Sequence, residues 1–534
     1  MNISKILILP ILASFLFACG AEEKQTETKR IDLSKPKTGG VLVFGRGGDS
    51  VGLDPSKETD GESMKVCDNI YENLVTYVKE GTEIIPSLAT SWQISEDGLE
   101  YVFTLRQGVK FHDGTDFNAE AVLFNFNRMY DKNHPFYNVG GTNKYWDNMG
   151  MSKIIKEISK VDEFTVKFTL NFPEAPFLAN LGMNFASISS PTAIQKFGDD
   201  YNKNPVGTGP FKFVEWVKDA RIVIDANENH WNGRPYLDRV IFRTIPENNV
   251  RFLELKKGTI AIMDLPNPDD IPLMEKDSKI KVQKAPGLNV GYFALNCEKK
   301  PFDDVRVRRA MNYAINKKNI VEYLYGGLGV VAKNPLPPTM WGYNDLVVDY
   351  EYNPEKAKEL LAEAGVKDLT ISLYAMPVPR PYMPEGVKVA QAIQSDLQKV
   401  GINSEIVQRE WGTYLDETEH GKHDACLLGW SGDNGDPDNF LYILLDKTAT
   451  TPPAQNVAFY KSDELHEVLV KAKRETDPKV RAELYKEACL IVKKDAPWVP
   501  IAHSLVVVPM QNFVQGFTIH PLNKVYLRDV WLAK

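Results

Sequence analysis

Two loops in the second half of the chain carry charges that directly follow predicted strands. The strand 369–376 runs into a stiff, proline-rich loop that contains Arg380, and the strand 423–430 leads through Gly432 to Asp433. Ligands of α/β sheets bind at the carboxyl ends of the strands. A zwitterion with separated charges would suit two such groups, with its ammonium on Asp433 and its carboxylate on Arg380. Alternatively, Arg380 and Asp433 pair with each other or face solvent.

The elements that must position these loops alternate between strand and helix. Asn353 and Pro354 begin a helix that Gly365 ends. The strands 369–376 and 402–407 flank a helix over 386–400, which predicts a β-α-β unit with parallel strands and a right-handed crossover. Helical spacing continues over 304–325, and a long helix is predicted from Pro478 to about residue 494.

The first half of the chain is instead rich in strand pairs. Strands are predicted over 101–105, 158–161 and 164–170, and again over 221–225 and 239–245, and a short helix over 252–257 leads into a strand over 260–263. The C-terminal tail returns to strand-like residues over 505–508. This order predicts a discontinuous first lobe that the C-terminus completes.

Length and charge narrow the possible functions. A single hydrophobic core stops growing near about 250–300 residues, so a chain of 534 residues predicts two lobes. Lys and Arg number 63 against 71 Asp and Glu, a formal net charge of -8. Without a basic excess to neutralise phosphates, binding to nucleic acid is not expected.

Signatures of catalysis and of metal binding are missing. The sequence contains no G-x-S-x-G, Walker loop, G-x-G-x-x-G or H-E-x-x-H, so we predict that the protein is not an enzyme and has no cofactor. His420 and His423 lie near acidic residues, but this stretch is typical of a solvated helix end. Read as a calcium loop, residues 433–444 lack the sixth-position Gly and the twelfth-position Glu. We expect no metal at either place.

The N-terminus is typical of an export signal. The apolar run 6–18 is shorter than the about 20 residues that span a bilayer, and it ends in Leu16-Phe17-Ala18-Cys19-Gly20, which resembles a bacterial lipobox. We predict a signal peptide over 1–18, lipidation of Cys19 and a flexible tether over 19–40. The alternative is a plain signal peptide with an incidental Cys19. Four further cysteines, Cys67, Cys297, Cys426 and Cys489, allow three complete pairings or free thiols.

Long strings of the sequence resemble the bacterial extracellular solute-binding proteins of family 5, which serve peptide ABC importers. The general family pattern is carried by residues 88–114, 205–211 and 305–310. Residues 287–292, 338–345 and 429–440 are similar to the periplasmic dipeptide-binding members in particular.

The resemblance implies an α/β fold, a two-lobe clamp of the periplasmic binding protein type II kind. We expect lobe I over 41–289 and 503–534 and lobe II over 290–502. The Asp after Trp-x-Gly, Asp433, is expected to hold the peptide amine. Arg380, with Tyr382 beside it, is expected to hold the carboxylate. Trp430 is expected to form an apolar wall, and Thr59 to line the pocket from the other lobe.

The expected function is that of a monomeric lipoprotein of the periplasm or cell surface, anchored to the membrane through its N-terminal lipid. It would capture dipeptides between its lobes and deliver them to the permease subunits of an ABC importer. Alternatives within the family are glutathione or haem binding and oligopeptide or nickel binding, and a ligand-sensing ectodomain is a further one. The Pro-Tyr that follows Arg380 favours dipeptides. Gly45 stands where the dipeptide-binding relative has a Cys, so that disulfide is not expected here.

Overall fold

The structure is a computed structural model that describes residues 35–137 and 139–534. The predicted signal peptide, Cys19 and most of the predicted tether lie outside the described residues. Within them, no helix is both long and apolar enough to cross a membrane.

The first part of the chain builds most of lobe I. Its helices and strands, in chain order, are β1 (Val41–Arg46), α1 (Gly61–Ile70), β2 (Val75–Tyr77), β3 (Ile84–Pro86), β4 (Ala89–Ile94), β5 (Glu100–Leu105), α2 (Ala119–Tyr130), α3 (Lys144–Asn148), α4 (Met151–Ile154), β6 (Ile155–Asp162), β7 (Thr165–Leu170), α5 (Phe177–Asn180), α6 (Pro191–Phe197), β8 (Phe211–Val217), β9 (Arg221–Ala226), β10 (Arg239–Thr244), α7 (Asn248–Lys257), β11 (Ile262–Met263), α8 (Ile271–Lys276) and β12 (Ile280–Pro286).

The second part builds lobe II and then returns to lobe I. It contains β13 (Asn289–Leu295), α9 (Val305–Ala314), α10 (Lys317–Leu324), β14 (Gly329–Val331), α11 (Pro354–Glu363), β15 (Thr370–Tyr374), α12 (Gly386–Lys399), β16 (Asn403–Val407), α13 (Trp411–Glu419), β17 (Ala425–Ser431), α14 (Asp438–Leu445), α15 (Asp463–Arg474), α16 (Pro478–Asp495), β18 (Trp498–Gln511), β19 (Val514–Gln515) and β20 (Trp531–Leu532).

One long strand joins the sheets of the two lobes. The main sheet has the order β16-β15-β17-β13-β18-β11-β1-β10-β9-β8, and β12 and β14 also pair with β18. Residues 498–502 of β18 pair with β13, whereas residues 505–511 pair with β12. The prediction of a strand over 505–508 was therefore too short. The chain passes from one lobe to the other within β18 and between β12 and β13.

The loops after β15 and β17 leave the sheet at the same edge. β15 pairs in parallel with both β16 and β17, and α12 connects β15 to β16, which confirms the predicted β-α-β unit. Because carboxyl ends of parallel strands meet at one edge, the loops that carry Arg380 and Asp433 start from neighbouring positions.

A second, antiparallel sheet, β4-β5-β7-β6, extends lobe I. Its inner face is packed with aromatic rings: the Phe168 ring centroid lies 5.7 Å from that of Phe103, 5.0 Å from Phe126 and 5.7 Å from Phe177. Such clusters stabilise a layer by area burial and by edge-to-face contacts. This layer carries α3 and the loop before α5, both of which reach lobe II.

Two predictions about helices have different outcomes. Asn353 caps α11 by accepting a hydrogen bond from the Lys356 backbone N–H, as its sequence predicts. The helical spacing over 304–325, by contrast, corresponds to two helices. Ile315 has extended backbone angles, and the side chain of Asn316 caps α10, so a polar cap interrupts an otherwise periodic apolar pattern.

Candidate functional site

A cavity of about 680 Å³ lies between the two lobes. Its walls include all five residues predicted to contact a ligand: Thr59, Arg380, Tyr382, Trp430 and Asp433. Four of them come from lobe II and one, Thr59, from lobe I. The volume falls in the range of about 300–1,000 Å³ that is usual for small-molecule sites.

Asp433 is held in place by a buried amide. The Asp433 backbone N–H donates to Asn439 Oδ1 at 2.9 Å, and Trp430 Nε1 donates to the same oxygen at 2.9 Å. Asn439 is fully buried at the start of α14. One side chain thereby fixes both the backbone at Asp433 and the orientation of the Trp430 ring.

The Asp433 carboxylate faces lobe I, where it accepts a hydrogen bond from the Tyr145 hydroxyl on α3. Burial raises the pKa of Asp433 to about 6, although the Tyr145 hydrogen bond and the charge of Lys524 act in the opposite direction. At neutral pH Asp433 is therefore mostly an anion, but one that has lost much of its water. A bound cation would relieve this cost.

Arg380 lies in a tight turn. Backbone hydrogen bonds between Arg380 and Met383 in both directions, at 3.1 and 2.9 Å, close the loop. The guanidinium carbon lies 5.4 Å from the Trp411 ring centroid, and Nη1 donates to the Pro379 carbonyl at 3.1 Å. Among the described residues it forms no ion pair with a carboxylate. The alternative that Arg380 and Asp433 neutralise each other is therefore wrong for this structure.

Tyr382 packs closely against β13 and β17 of its own lobe, because a glycine in each strand leaves room for it. A Cβ at Gly429 would lie 2.1 Å from Tyr382 Cδ2, and one at Gly291 would lie 2.2 Å from the Tyr382 carbonyl oxygen. Tyr325 also donates its hydroxyl to that carbonyl at 2.8 Å. Burial raises the pKa of Tyr382, so its ring stays neutral and acts as a wall next to Arg380.

Thr59 and Trp430 are less enclosed than Tyr382. Trp430 is half-buried at the end of β17, and Thr59 is exposed in the loop between β1 and α1. Asp60, the next residue, caps α1 by accepting the Ser63 backbone N–H at 2.9 Å. This cap fixes the end of the loop that brings Thr59 to the cavity.

The acidic loop after Asp433 forms consecutive turns. Asn434 Oδ1 accepts the Asp436 backbone N–H at 2.9 Å, and Asp436 Oδ1 accepts that of Asp438 at 3.0 Å, both as Asx turns.

His423 is fully buried, and its Nε2 lies 2.9 Å from the Val457 carbonyl oxygen. Among the described residues, no group of three or more His, Cys, Asp or Glu side chains is arranged to hold a metal ion. Cys67, Cys297, Cys426 and Cys489 all have free thiols.

Three further residues of the cavity were not predicted from the sequence. Tyr145 lies 288 positions before Asp433 in the chain. Trp411 begins α13, and its ring lies against the Arg380 guanidinium. Lys524 belongs to the C-terminal segment of lobe I, and its Nζ donates a hydrogen bond of 2.8 Å to Asn184 Oδ1. An aromatic residue on a short helix and a lysine in a tail carry no pattern that distinguishes them from core or surface residues. Only the tertiary fold brings them to the cavity.

A cavity between two lobes, whose walls include the Arg380 guanidinium and the partly desolvated Asp433 carboxylate, defines a binding protein of the clamp type. Comparison with known proteins agrees with this class. Residues 83–452 match the model of the bacterial extracellular solute-binding proteins, family 5 Middle. The chain belongs to this family, whose members bind solutes, and the predicted family and two-lobe fold class are confirmed.

Similar proteins cover almost the whole chain. A dipeptide-binding protein of Escherichia coli (strain K12) is 43% identical over 504 residues, which are 92% of this chain and 94% of that protein. Heme-binding protein A of Haemophilus influenzae is 40% identical over 535 residues, 98% and 97% of the two chains. A solved structure, an ABC transporter-associated periplasmic binding protein from Helicobacter pylori in complex with the peptide STSA, is 44% identical with a TM-score of 0.87, and the match covers 93% and 99% of the two chains.

Proposed function

We propose that this protein is the substrate-binding subunit of an ABC importer and that it captures dipeptides in the cavity between its lobes. One observation carries the proposal: the cavity contains a guanidinium, Arg380, and a carboxylate, Asp433, that do not neutralise each other. The E. coli relative named as a dipeptide-binding protein supports dipeptides, and the H. pylori complex with the four-residue peptide STSA supports peptides as a class.

The charges match the two ends of a peptide. A free peptide carries an ammonium at one end and a carboxylate at the other, and both lose water when the lobes enclose them. Such charges are tolerated only when they are paired and hydrogen-bonded. Asp433 would pair with the ammonium and Arg380 with the carboxylate, where its planar donors can bind in a bidentate way. Tyr382 and Trp430 would cover the peptide with apolar surface, and Thr59 would contact it from lobe I.

Haem is an alternative ligand, suggested by the name of the relative from H. influenzae. Haem iron commonly takes an axial His, Cys, Met or Tyr. Among the described histidines, His520 lines the cavity, but its Nε2 lies 3.1 Å from the Val78 carbonyl oxygen and its Nδ1 accepts the Leu522 backbone N–H at 3.1 Å. Both ring nitrogens are occupied, which disfavours His520 as an iron ligand.

The lobes would close around the peptide by bending at the two chain crossings. We place the lobe boundaries at 289/290 and 502/503, next to the points where strand pairing changes between β12 and β13 and within β18. Hinges of this kind absorb backbone rotation at a few residues. Solution X-ray scattering should show a smaller radius of gyration when a tightly binding dipeptide is added. An unchanged radius would contradict closure.

The site of action would be the periplasm or the cell surface. In this proposal a lipid on Cys19 anchors the monomeric protein to a membrane, the segment 19–40 acts as a tether, and the closed lobes present the peptide to permease subunits. The protein would perform no chemistry on the peptide, and transport would be driven by the other subunits of the importer.

Calorimetry of the delipidated protein with four ligands tests the proposed substrate. Ala-Ala, Ala-Ala-Ala, glutathione and haem would each be titrated into the same preparation. We expect Ala-Ala to bind most tightly. Haem binding without measurable peptide binding would overturn the proposal. A preference for glutathione would identify glutathione, rather than a dipeptide, as the ligand.

A further inference from the structure

A buried cluster of charges connects the two lobes and does not include Asp433 or Arg380. Glu174 lies in the loop before α5 of lobe I, whereas Asp438 begins α14 and Lys473 lies near the end of α15, both in lobe II. Lys473 Nζ lies 3.1 Å from Glu174 Oε1 and 3.8 Å from Asp438 Oδ2. The Glu174 and Asp438 side chains are only 1% and 2% exposed. We call Glu174, Asp438 and Lys473 the latch cluster.

The lobes touch directly beside this cluster. The Ala175 backbone N–H donates to the Lys473 carbonyl at 2.7 Å, and Asn434 Nδ2 donates to Asn180 Oδ1 at 2.7 Å. Glu174 is therefore brought to Lys473 by the contact between the lobes. Separation of the lobes would return Glu174 to water, while Asp438 and Lys473 would remain together on lobe II.

The surroundings of the latch cluster are also charged. Arg481 binds Asp436 with two hydrogen bonds at 2.9 and 3.0 Å. A cavity of about 310 Å³ beside the cluster is lined by Glu174 and Lys473 and also by further charged side chains. The other titratable groups around the cluster are Tyr101, Tyr442 and Tyr485 on β5, α14 and α16, and Asp147, Lys153 and Arg474 at the cavity.

The buried charges do not balance when all groups are ionised. Three carboxylates (Glu174, Asp436 and Asp438) face two cations (Lys473 and Arg481), which leaves one negative charge in excess. Neither Glu174 oxygen nor Asp438 Oδ1 accepts a well-aligned hydrogen bond from a described residue. One proton on either carboxyl group would remove the excess charge.

We propose that the latch cluster takes up one proton when the lobes close around a peptide. This inference rests on the proposed clamp function. Its geometric basis is that closure buries the Glu174 carboxylate beside a second carboxylate that shares the same lysine. Burial raises the pKa of Asp438 to about 7, and it also raises the pKa of Glu174, with the charge of Lys473 opposing both.

The sign of the pH dependence follows from this arrangement. A carboxyl pKa that is higher in the closed form means that protonation favours closure. Peptide affinity should fall as pH rises towards about 7, by at most about tenfold for each pH unit, and should level off above about pH 8, where the closed form no longer holds the proton. Asp433 acts in the opposite direction, because protonation of its carboxylate below about pH 6 removes the partner of the peptide amine.

Calorimetry in two buffers measures the number of protons that the protein takes up when the peptide binds. Ala-Ala would be titrated at pH 7.0 into the wild-type protein in phosphate and in imidazole, whose ionisation enthalpies differ. The difference in heat gives the number of protons bound, and we expect an uptake of about half a proton. Glu174→Gln should reduce this uptake to near zero and remove the fall in affinity between pH 6 and 8. The control is Glu163→Gln, which changes an exposed glutamate in the turn between β6 and β7 of lobe I and should retain the uptake.

The possible outcomes are distinct. If the wild-type protein binds Ala-Ala without proton uptake, the proposal for the latch cluster is wrong, whereas the proposed clamp function is unaffected. Uptake that persists in Glu174→Gln would assign the proton elsewhere and would also overturn it. Asp438→Asn provides a second variant if Glu174→Gln does not fold, with the same expected loss. Absence of binding at every pH would instead reject the proposed function.

Discussion

Replacement of Asp433 by Asn tests whether this carboxylate recognises the peptide amine. Burial moves the pKa of Asp433 from its ordinary value of 3.8 to about 6, a cost to the anion of about 3 kcal/mol at about 1.4 kcal/mol per pKa unit. A bound ammonium would recover an energy of this order. Removal of one partner of a buried charge pair typically costs about 2–5 kcal/mol. We therefore expect Asp433→Asn to weaken Ala-Ala binding by about 100-fold.

The diagnostic comparison uses a peptide that lacks the ammonium. N-acetyl-Ala-Ala should bind the wild-type protein weakly, and Asp433→Asn should change its affinity by less than about threefold, since no charge pair remains to be lost. Calorimetry with both peptides gives the four affinities. Asp416→Asn is the matched control, because Asp416 is an exposed carboxylate of the same lobe, and it should leave both affinities unchanged. Equal weakening of both peptides by Asp433→Asn would refute the reasoning, since Asp433 would then shape the loop rather than bind the amine.

Three further predictions concern the carboxylate, the lobe contact and the anchor. Arg380→Ala should weaken Ala-Ala by about 30-fold or more but C-amidated Ala-Ala far less, measured by calorimetry beside the exposed control Arg409→Ala; equal losses would contradict the assignment. Tyr145→Phe removes a hydrogen bond that lowers the pKa of Asp433, so the loss of affinity on acidification should begin at a higher pH, and an unchanged pH profile would show that the hydroxyl has no such role. Cys19→Ser should release the protein from membranes without altering peptide affinity; retention in the membrane fraction, or an unmodified Cys19 in mass spectra of the wild-type protein, would reject the lipid anchor.

Much of the site could be predicted because its residues follow directly on strands. Arg380 and Asp433 are placed by β15 and β17; the predicted β-α-β unit gives the parallel order of β15 and β16, and β17 pairs in parallel with β15 as well. Caps such as Asn353 are equally local, since one side chain satisfies one free backbone N–H. These features depend on a few consecutive residues, so a single sequence is sufficient to predict them.

The rest depends on contacts between segments that are distant in the sequence. The hydroxyl of Tyr145 reaches Asp433 only across the lobe interface, and Trp411 supports Arg380 from another helix. Glu174 is an ordinary polar residue of a loop until α14 and α15 bury it. In the same way, β18 spans both lobes because its two halves pair with different strands, and no pattern within the segment 498–511 indicates this change of partner.

A crystal structure of the mature protein with Ala-Ala tests the central claim most directly. The account predicts a closed form in which the peptide lies between the lobes, with its ammonium within hydrogen-bond distance of the Asp433 carboxylate and its carboxylate on the Arg380 guanidinium. A peptide bound with its termini reversed, or bound outside the cavity, would contradict the account.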